Sequence, residues 1–123
     1  AQPVLFRRVS DLSQLEGAIS SAAGKPVMLD FYADWCVSCK EMERLTFRDA
    51  DVRRRLESML LLQVDVTANS AADAALLKRF GLFGPPGIIF FDRLGEEIDD
   101  SRVIGYRSAE RFLPILTRIA SAH

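Results

Sequence analysis

The stretch that decides the fold is Leu29–Arg44, LDFYADWCVSCKEMER. It holds the chain's two cysteines, Cys36 and Cys39, with the single tryptophan, Trp35, directly before them. An apolar run with one acid in it, KPVMLDFYA, leads into the pair and reads as a strand covered on both faces. A helix is expected from about Cys36 to Phe47. On a helix the two cysteines are neighbours on one face. Their Cα atoms would lie roughly 5 Å apart, inside the window a disulfide requires. Cys36 would sit in the first turn, where unpaired N–H groups and the helix dipole lower a thiol's pKa below the free value of about 8.5. Cys39, one turn deeper, is expected to be more buried and less acidic. The spacing thus supplies a nucleophile and a resolving thiol.

Two plainer readings compete. As a staple the pair does little, because a four-residue loop removes only about 2 kcal/mol of unfolded-state entropy, against about 3 for fifteen residues. As a zinc site it lacks partners: four Cys or His ligands are needed, and the one histidine is the terminal His123. Haem attachment would require His after the second cysteine, where Lys40 stands. Redox chemistry is the reading that survives.

Two acids lie close to the pair in sequence. Asp30 is the one charge in its strand, and burial raises a carboxylate's pKa. Glu43 follows Cys39 by four residues and so shares its helix face. Both are expected to converge beneath Cys39, oppose a second anion there and exchange protons with its thiol. The plain alternative is an Asp tied to backbone N–H groups and an exposed Glu paired with Lys40 or Arg44.

Outward from this stretch, strands and helices alternate. LFRRV, after a loose lead-in, could form a short edge strand, so residues 1–10 are partly lead-in. SDLSQLEGAISSAAG reads as a helix capped by Ser10 or Asp11 and ended by Gly24. DADVRRRLES is a short helix, MLLLQVDVT a buried strand, and SAADAALLKRFG a helix capped by Ser70 and closed by Gly81. GPPG is a turn, IIFFD a third apolar strand, and SRVIGY its antiparallel partner after a turn at Gly95. SAERFLPILTRIASAH is a final helix capped by Ser108, with Pro114 as a kink site. The order β-α-β-α-β-α-β-β-α implies parallel pairs with right-handed crossovers and a closing hairpin. All 123 residues read as one α/β domain.

Bulk properties exclude several functions. Hydrophobic residues make up 49% and charged residues 27%, a balance typical of globular domains. The net charge is −1, without the basic face a nucleic-acid partner would want, and Arg53–Arg55 read as a solvated helix face beside acids. No window reaches the roughly 18 apolar residues of a membrane span. AQPVLFRRVSD lacks the apolar core of a signal peptide, although a mature protein or an excised domain would look the same.

FYADWCVSCK after an apolar strand, with GPPGIIFFD about fifty residues later, resembles the thioredoxin-fold oxidoreductases. YADWCVSCKEMERLTF and LLLQVDVTANSAADAALLKRFGLFGPPGIIFFD narrow the resemblance to the C-terminal periplasmic domains of the DsbD family. It covers about residues 25–113. The resemblance implies a central mixed sheet flanked by helices on both faces, and dithiol–disulfide exchange through Cys36 and Cys39 without metal, flavin or nucleotide. It implies a cis bond before Pro86, with Pro85 presenting its carbonyl to a partner's extended chain but lacking an N–H to donate. Gly87 departs from the threonine common after that proline, which bears on partner preference. Trp35 would lie at the rim as a docking surface, with Phe83 and Gly84 extending the patch. Partners would be other thiol–disulfide proteins, met through transient mixed disulfides. In this family those are a membrane-embedded domain that delivers electrons and an N-terminal periplasmic domain that receives them. The expected setting is a monomeric periplasmic domain of an inner-membrane protein. The rival readings are a free-standing thioredoxin and a non-catalytic binding module of the same fold.

Overall fold

A computed structural model of the chain describes residues 3–122. His123 lies outside that range, as does the beginning of the lead-in. The strands are β1 (Arg7–Arg8), β2 (Val27–Tyr32), β3 (Leu60–Asp65), β4 (Gly87–Phe91) and β5 (Val103–Ile104). They form one sheet in the order β1-β3-β2-β4-β5. β1 is the expected edge strand. It runs parallel to β3, and β3 parallel to β2.

β4 departs from the expectation of parallel pairs, since it lies antiparallel to β2, with β5 antiparallel to β4. The chain reverses between the helix Ala71–Arg79 and β4, through Gly81 at φ +67° and the Pro85–Pro86 turn. The sheet is therefore mixed.

Side-chain alternation explains why the apolar runs are continuous. Val27, Leu29 and Phe31 of β2, with Ile89 and Phe91 of β4, enter a core completed by Leu15 and Ala18 of α1 (Leu12–Ser20) and Leu76 of α4 (Ala71–Arg79). Met28, Ile88 and Phe90 point to the opposite face. They meet Val52 and Leu56 of α3 (Ala50–Leu56) and Phe112, Leu116 and Ile119 of α5 (Ala109–Ser121). With helices on both faces, every residue of β2 and β4 is buried.

Local signals set most boundaries. Asp11, Asp49 and Ser108 cap their helices by accepting from backbone N–H groups, and Ser70 with Asp73 forms a reciprocal capping box. α5 runs through Pro114 from Ala109 to Ser121. α1 stops at Ser20 rather than at Gly24: the Ser21 hydroxyl donates to the Ala18 carbonyl, and Ala23 and Gly24 both take positive φ.

The expected helix 36–47 is in fact two pieces. α2 covers Val37–Glu41, and Met42–Thr46 widens into a π-helical turn closed by the Phe47 N–H on the Met42 carbonyl, 2.8 Å. That turn is clamped from outside. Thr46 Oγ1 donates to the Arg107 carbonyl at 2.6 Å, and Met42 Sδ accepts the Arg107 N–H at 3.3 Å. Among the described residues, no helix is long and apolar enough to cross a membrane.

Candidate active site

β2 ends at Tyr32 and α2 begins five residues later at Val37, so Cys36 comes to rest at the mouth of the sheet. It is the N-cap residue of α2 rather than a member of its first turn, with extended backbone, φ −92° and ψ 105°. Cys36 and Cys39 are joined as a disulfide, their Cα atoms 5.3 Å apart. The two sulfurs face different partners. Cys36 Sγ accepts the Cys39 N–H at 3.1 Å, whereas Cys39 Sγ lies 3.8 Å from the Phe31 carbonyl oxygen. A backbone donor suits a thiolate, and a backbone acceptor suits a protonated thiol. The expected contrast in burial is slight, 7% exposed for Cys36 and 4% for Cys39. Distinct partners, more than depth, separate the two thiols.

Asp30 is buried next to Phe31, and β2 pairs it directly with Gln63 of β3. Gln63 Nε2 donates to Asp30 Oδ2 at 2.9 Å, so the acid is held by a side-chain amide and not by backbone N–H groups. Burial pushes its pKa up to about 7. The Gln63 bond opposes the rise, the Glu43 charge adds to it, and Arg8 counters. Glu43 sits on the π-helical turn, half-buried, lining a groove with Lys40, Arg44, Phe6 and Phe47. The two acids are therefore within electrostatic reach of each other. Neither Lys40 nor Arg44 forms an ion pair with Glu43; Lys40 turns to Asp34 and to the Tyr32 hydroxyl. Tyr32 in turn donates to Asp34 at 2.8 Å, and burial lifts its phenol above the usual range.

Trp35 is 53% exposed, but its indole N–H is fixed on the Thr67 carbonyl at 3.0 Å. The same threonine's hydroxyl accepts the Asp34 N–H. Opposite lies the proline loop. The Pro85–Pro86 bond is cis, and the Pro86 carbonyl accepts the Gly105 N–H at 3.1 Å. Gly87 then pairs with Phe31 on one side and Ile104 on the other. This register carries the loop to the strand residue whose carbonyl faces Cys39. Phe83 is fully exposed beside it, and Gly84, Pro85 and Pro86 are half-buried. Val37, Ile104 and Tyr106 are further exposed apolar side chains on the segments framing the cysteines. Among the described residues, no group of three or more His, Cys, Asp or Glu side chains could hold a metal ion.

Residues 15–120 match the family model of the thioredoxin-like domain. The crystal structure of the reduced C-terminal domain of DsbD from Neisseria meningitidis superposes with a TM-score of 0.76 at 36% identity, over 92% of this chain and 99% of that one. The chain belongs to the family of DsbD C-terminal domains. The thiol:disulfide interchange proteins DsbD of Ralstonia nicotianae and Yersinia enterocolitica are 58% and 54% identical over 96% and 93% of this chain. The chain spans about a fifth of the length of these curated relatives, 20% in each case. A thioredoxin from Fasciola hepatica, 20% identical with a TM-score of 0.72, shares the fold.

Gly87 faces a closely lined space. A Cβ there would lie 3.1 Å from Leu82 Cδ1 and 3.4 Å from its Cδ2, so the leucine already fills the space.

Several site residues were not anticipated. Gln63, Arg8 and Thr67 come from outside the stretch Leu29–Arg44, and the Phe31 carbonyl is a backbone group within it. One sign was available for Gln63. It and Asp30 each interrupt an apolar run, MLLLQV and VMLDFY, and buried polar groups find partners.

Proposed function

We propose that this thioredoxin-like unit is a dithiol–disulfide oxidoreductase that passes two electrons at a time to disulfide-bonded protein partners. The observation that carries the reading is the division of roles at the sulfurs, an N–H on Cys36 and a carbonyl under Cys39. In the reduced protein, Cys36 thiolate attacks a partner disulfide, forming a mixed disulfide and expelling one partner thiolate. Cys39 gives its proton to the acid–base group beside Phe31, Asp30. Its thiolate then attacks Cys36 Sγ, closing the Cys36–Cys39 bond and releasing the second partner thiolate. The two expelled thiolates take up protons, and the partner leaves reduced by two electrons. Glu43 tunes Asp30 by its charge. No metal, flavin or nucleotide takes part in these steps.

Trp35, Phe83, Gly84 and the Pro85–Pro86 turn form the docking rim, with the Pro85 carbonyl open to an incoming extended chain. In the setting the relatives suggest, the unit is a monomeric periplasmic domain of an inner-membrane protein. A membrane-embedded domain of the same polypeptide reduces it, and the N-terminal periplasmic domain takes its electrons. Trapping tests the reading. Cys39→Ala is expected to accumulate mixed disulfides on Cys36, identified by mass spectrometry of captured proteins, while Cys36→Ser captures none. Equal capture by both variants, or by neither, refutes it.

A further inference from the structure

Asp30 is tied to the protein surface through a single amide. Gln63, 3% exposed, bridges Asp30 on β2 and Arg8 on the edge strand β1. Its Nε2 donates to Asp30 Oδ2 at 2.9 Å, and its Oε1 accepts from Arg8 Nε at 2.7 Å. Arg8 is anchored in turn by Nη1 on Asp65 Oδ2, 2.9 Å, and Asp65 is fixed by the Thr67 N–H.

A primary amide has two ends of opposite character, and a flip exchanges them. With Nε2 toward Asp30, the amide donates and favours the carboxylate. With Oε1 toward Asp30, it could only accept, which requires a protonated acid. Gln63 cannot choose freely, because a guanidinium has donors and no acceptor. Arg8 must face Oε1, so Nε2 must face Asp30.

We propose that Arg8 is a positioning residue: its donor-only guanidinium sets the polarity of the Gln63 amide and thereby holds Asp30 ready to accept a proton. This rests on the exchange reading above for its use, but its physical content does not depend on that reading. The charged groups acting on Asp30 across the packed elements are Arg8 from β1 and Glu43 from the π-helical turn. Burial and Glu43 press the acid toward its neutral form, and the Arg8–Gln63 pair opposes them. A proton acceptor for a thiol needs that opposition.

The test is an NMR titration of the Asp30 side-chain carboxyl carbon in the oxidised domain, for the parent, Arg8→Met, Gln63→Leu and the double variant. Arg8→Met is expected to move the midpoint upward by about one pH unit, the loss of roughly one charge-assisted hydrogen bond's preference. Gln63→Leu moves it at least as far. In the double variant, Arg8→Met adds less to Gln63→Leu than it does to the parent, because the amide is gone and only the direct charge remains. Arg8→Lys, another donor without an acceptor, restores much of the midpoint. Asp65→Asn, which loosens the arginine's other end, moves it less than Arg8→Met. An unmoved midpoint in a folded Arg8→Met protein overturns the proposal. So does an equal shift on the Gln63→Leu background, which would mean that Arg8 acts by charge alone. Because the midpoint is read without any exchange reaction, it stands or falls apart from the trapping result.

Discussion

Asp30→Asn is expected to abolish a loss of stability that the parent domain suffers as pH rises from about 4 to neutrality. In the unfolded chain Asp30 ionises near 3.8, and in the folded one near 7. Between those values the unfolded chain binds fewer protons than the native one, so stability falls with pH. The contribution is whole below the unfolded value and gone once pH has passed the folded one. Three units at 1.36 kcal/mol each place the change on the order of 4 kcal/mol. Asparagine carries no charge at either extreme, and its carbonyl can still accept from Gln63 Nε2. Urea unfolding of both proteins in oxidised form, at pH 4 and pH 8, isolates the effect. The gap between variant and parent should widen in the variant's favour by about that amount, whatever fixed packing cost the amide brings. Parallel behaviour at the two pH values would remove the claim that Asp30 ionises against its surroundings. Under the proton-acceptor role proposed for Asp30, that loss of stability is what the fold gives up to keep a base in the site.

Phe47→Ala should be the other severe change. The ring is 2% exposed and lies between Phe6 and Phe112, at centroid distances of 5.7 and 6.0 Å, with Phe90 reached through Phe112. Truncating a fully buried phenylalanine typically costs about 3–5 kcal/mol, from lost transfer energy and the cavity left behind. Here the backbone of the same residue closes the π-helical turn on Met42, so the void opens beside the segment that carries Glu43. Denaturant unfolding measures the cost, and Leu94→Ala is the control, since Leu94 is 80% exposed and should change stability by less than about 0.5 kcal/mol. A Phe47→Ala cost below about 1 kcal/mol would show that the aromatic column is not the anchor of this face.

How much of this could be read in advance depended on whether the signal was local. The buried strands, the caps at Asp11, Ser70 and Ser108, the turn at Gly81 and the disulfide-forming cysteine pair all follow from neighbours in the chain. The cis bond at Pro86 came from family likeness, since an X–Pro bond is usually trans. What escaped reading depends on tertiary partners. The π-helical turn answers to Arg107, sixty-five residues from Met42. The reversed direction of β4 is a matter of how the chain leaves α4. Asp30 was legible as a perturbed acid, but its partner had to await the β2–β3 register that sets Gln63 opposite it. Similar depth for the two cysteines, where a difference was expected, has the same origin: Cys36 stands just outside the helix, covered by its surroundings.

The bond between the Trp35 indole and the Thr67 carbonyl has a consequence for recognition. A ring that swings freely in water forfeits rotational disorder when another chain covers it, and that forfeit weakens association. Here much of it has already been surrendered on folding, so under the docking role proposed for Trp35 a visiting segment would meet a rigid platform. Contact could then be brief and shallow yet still correctly aligned, as the relay proposed above requires.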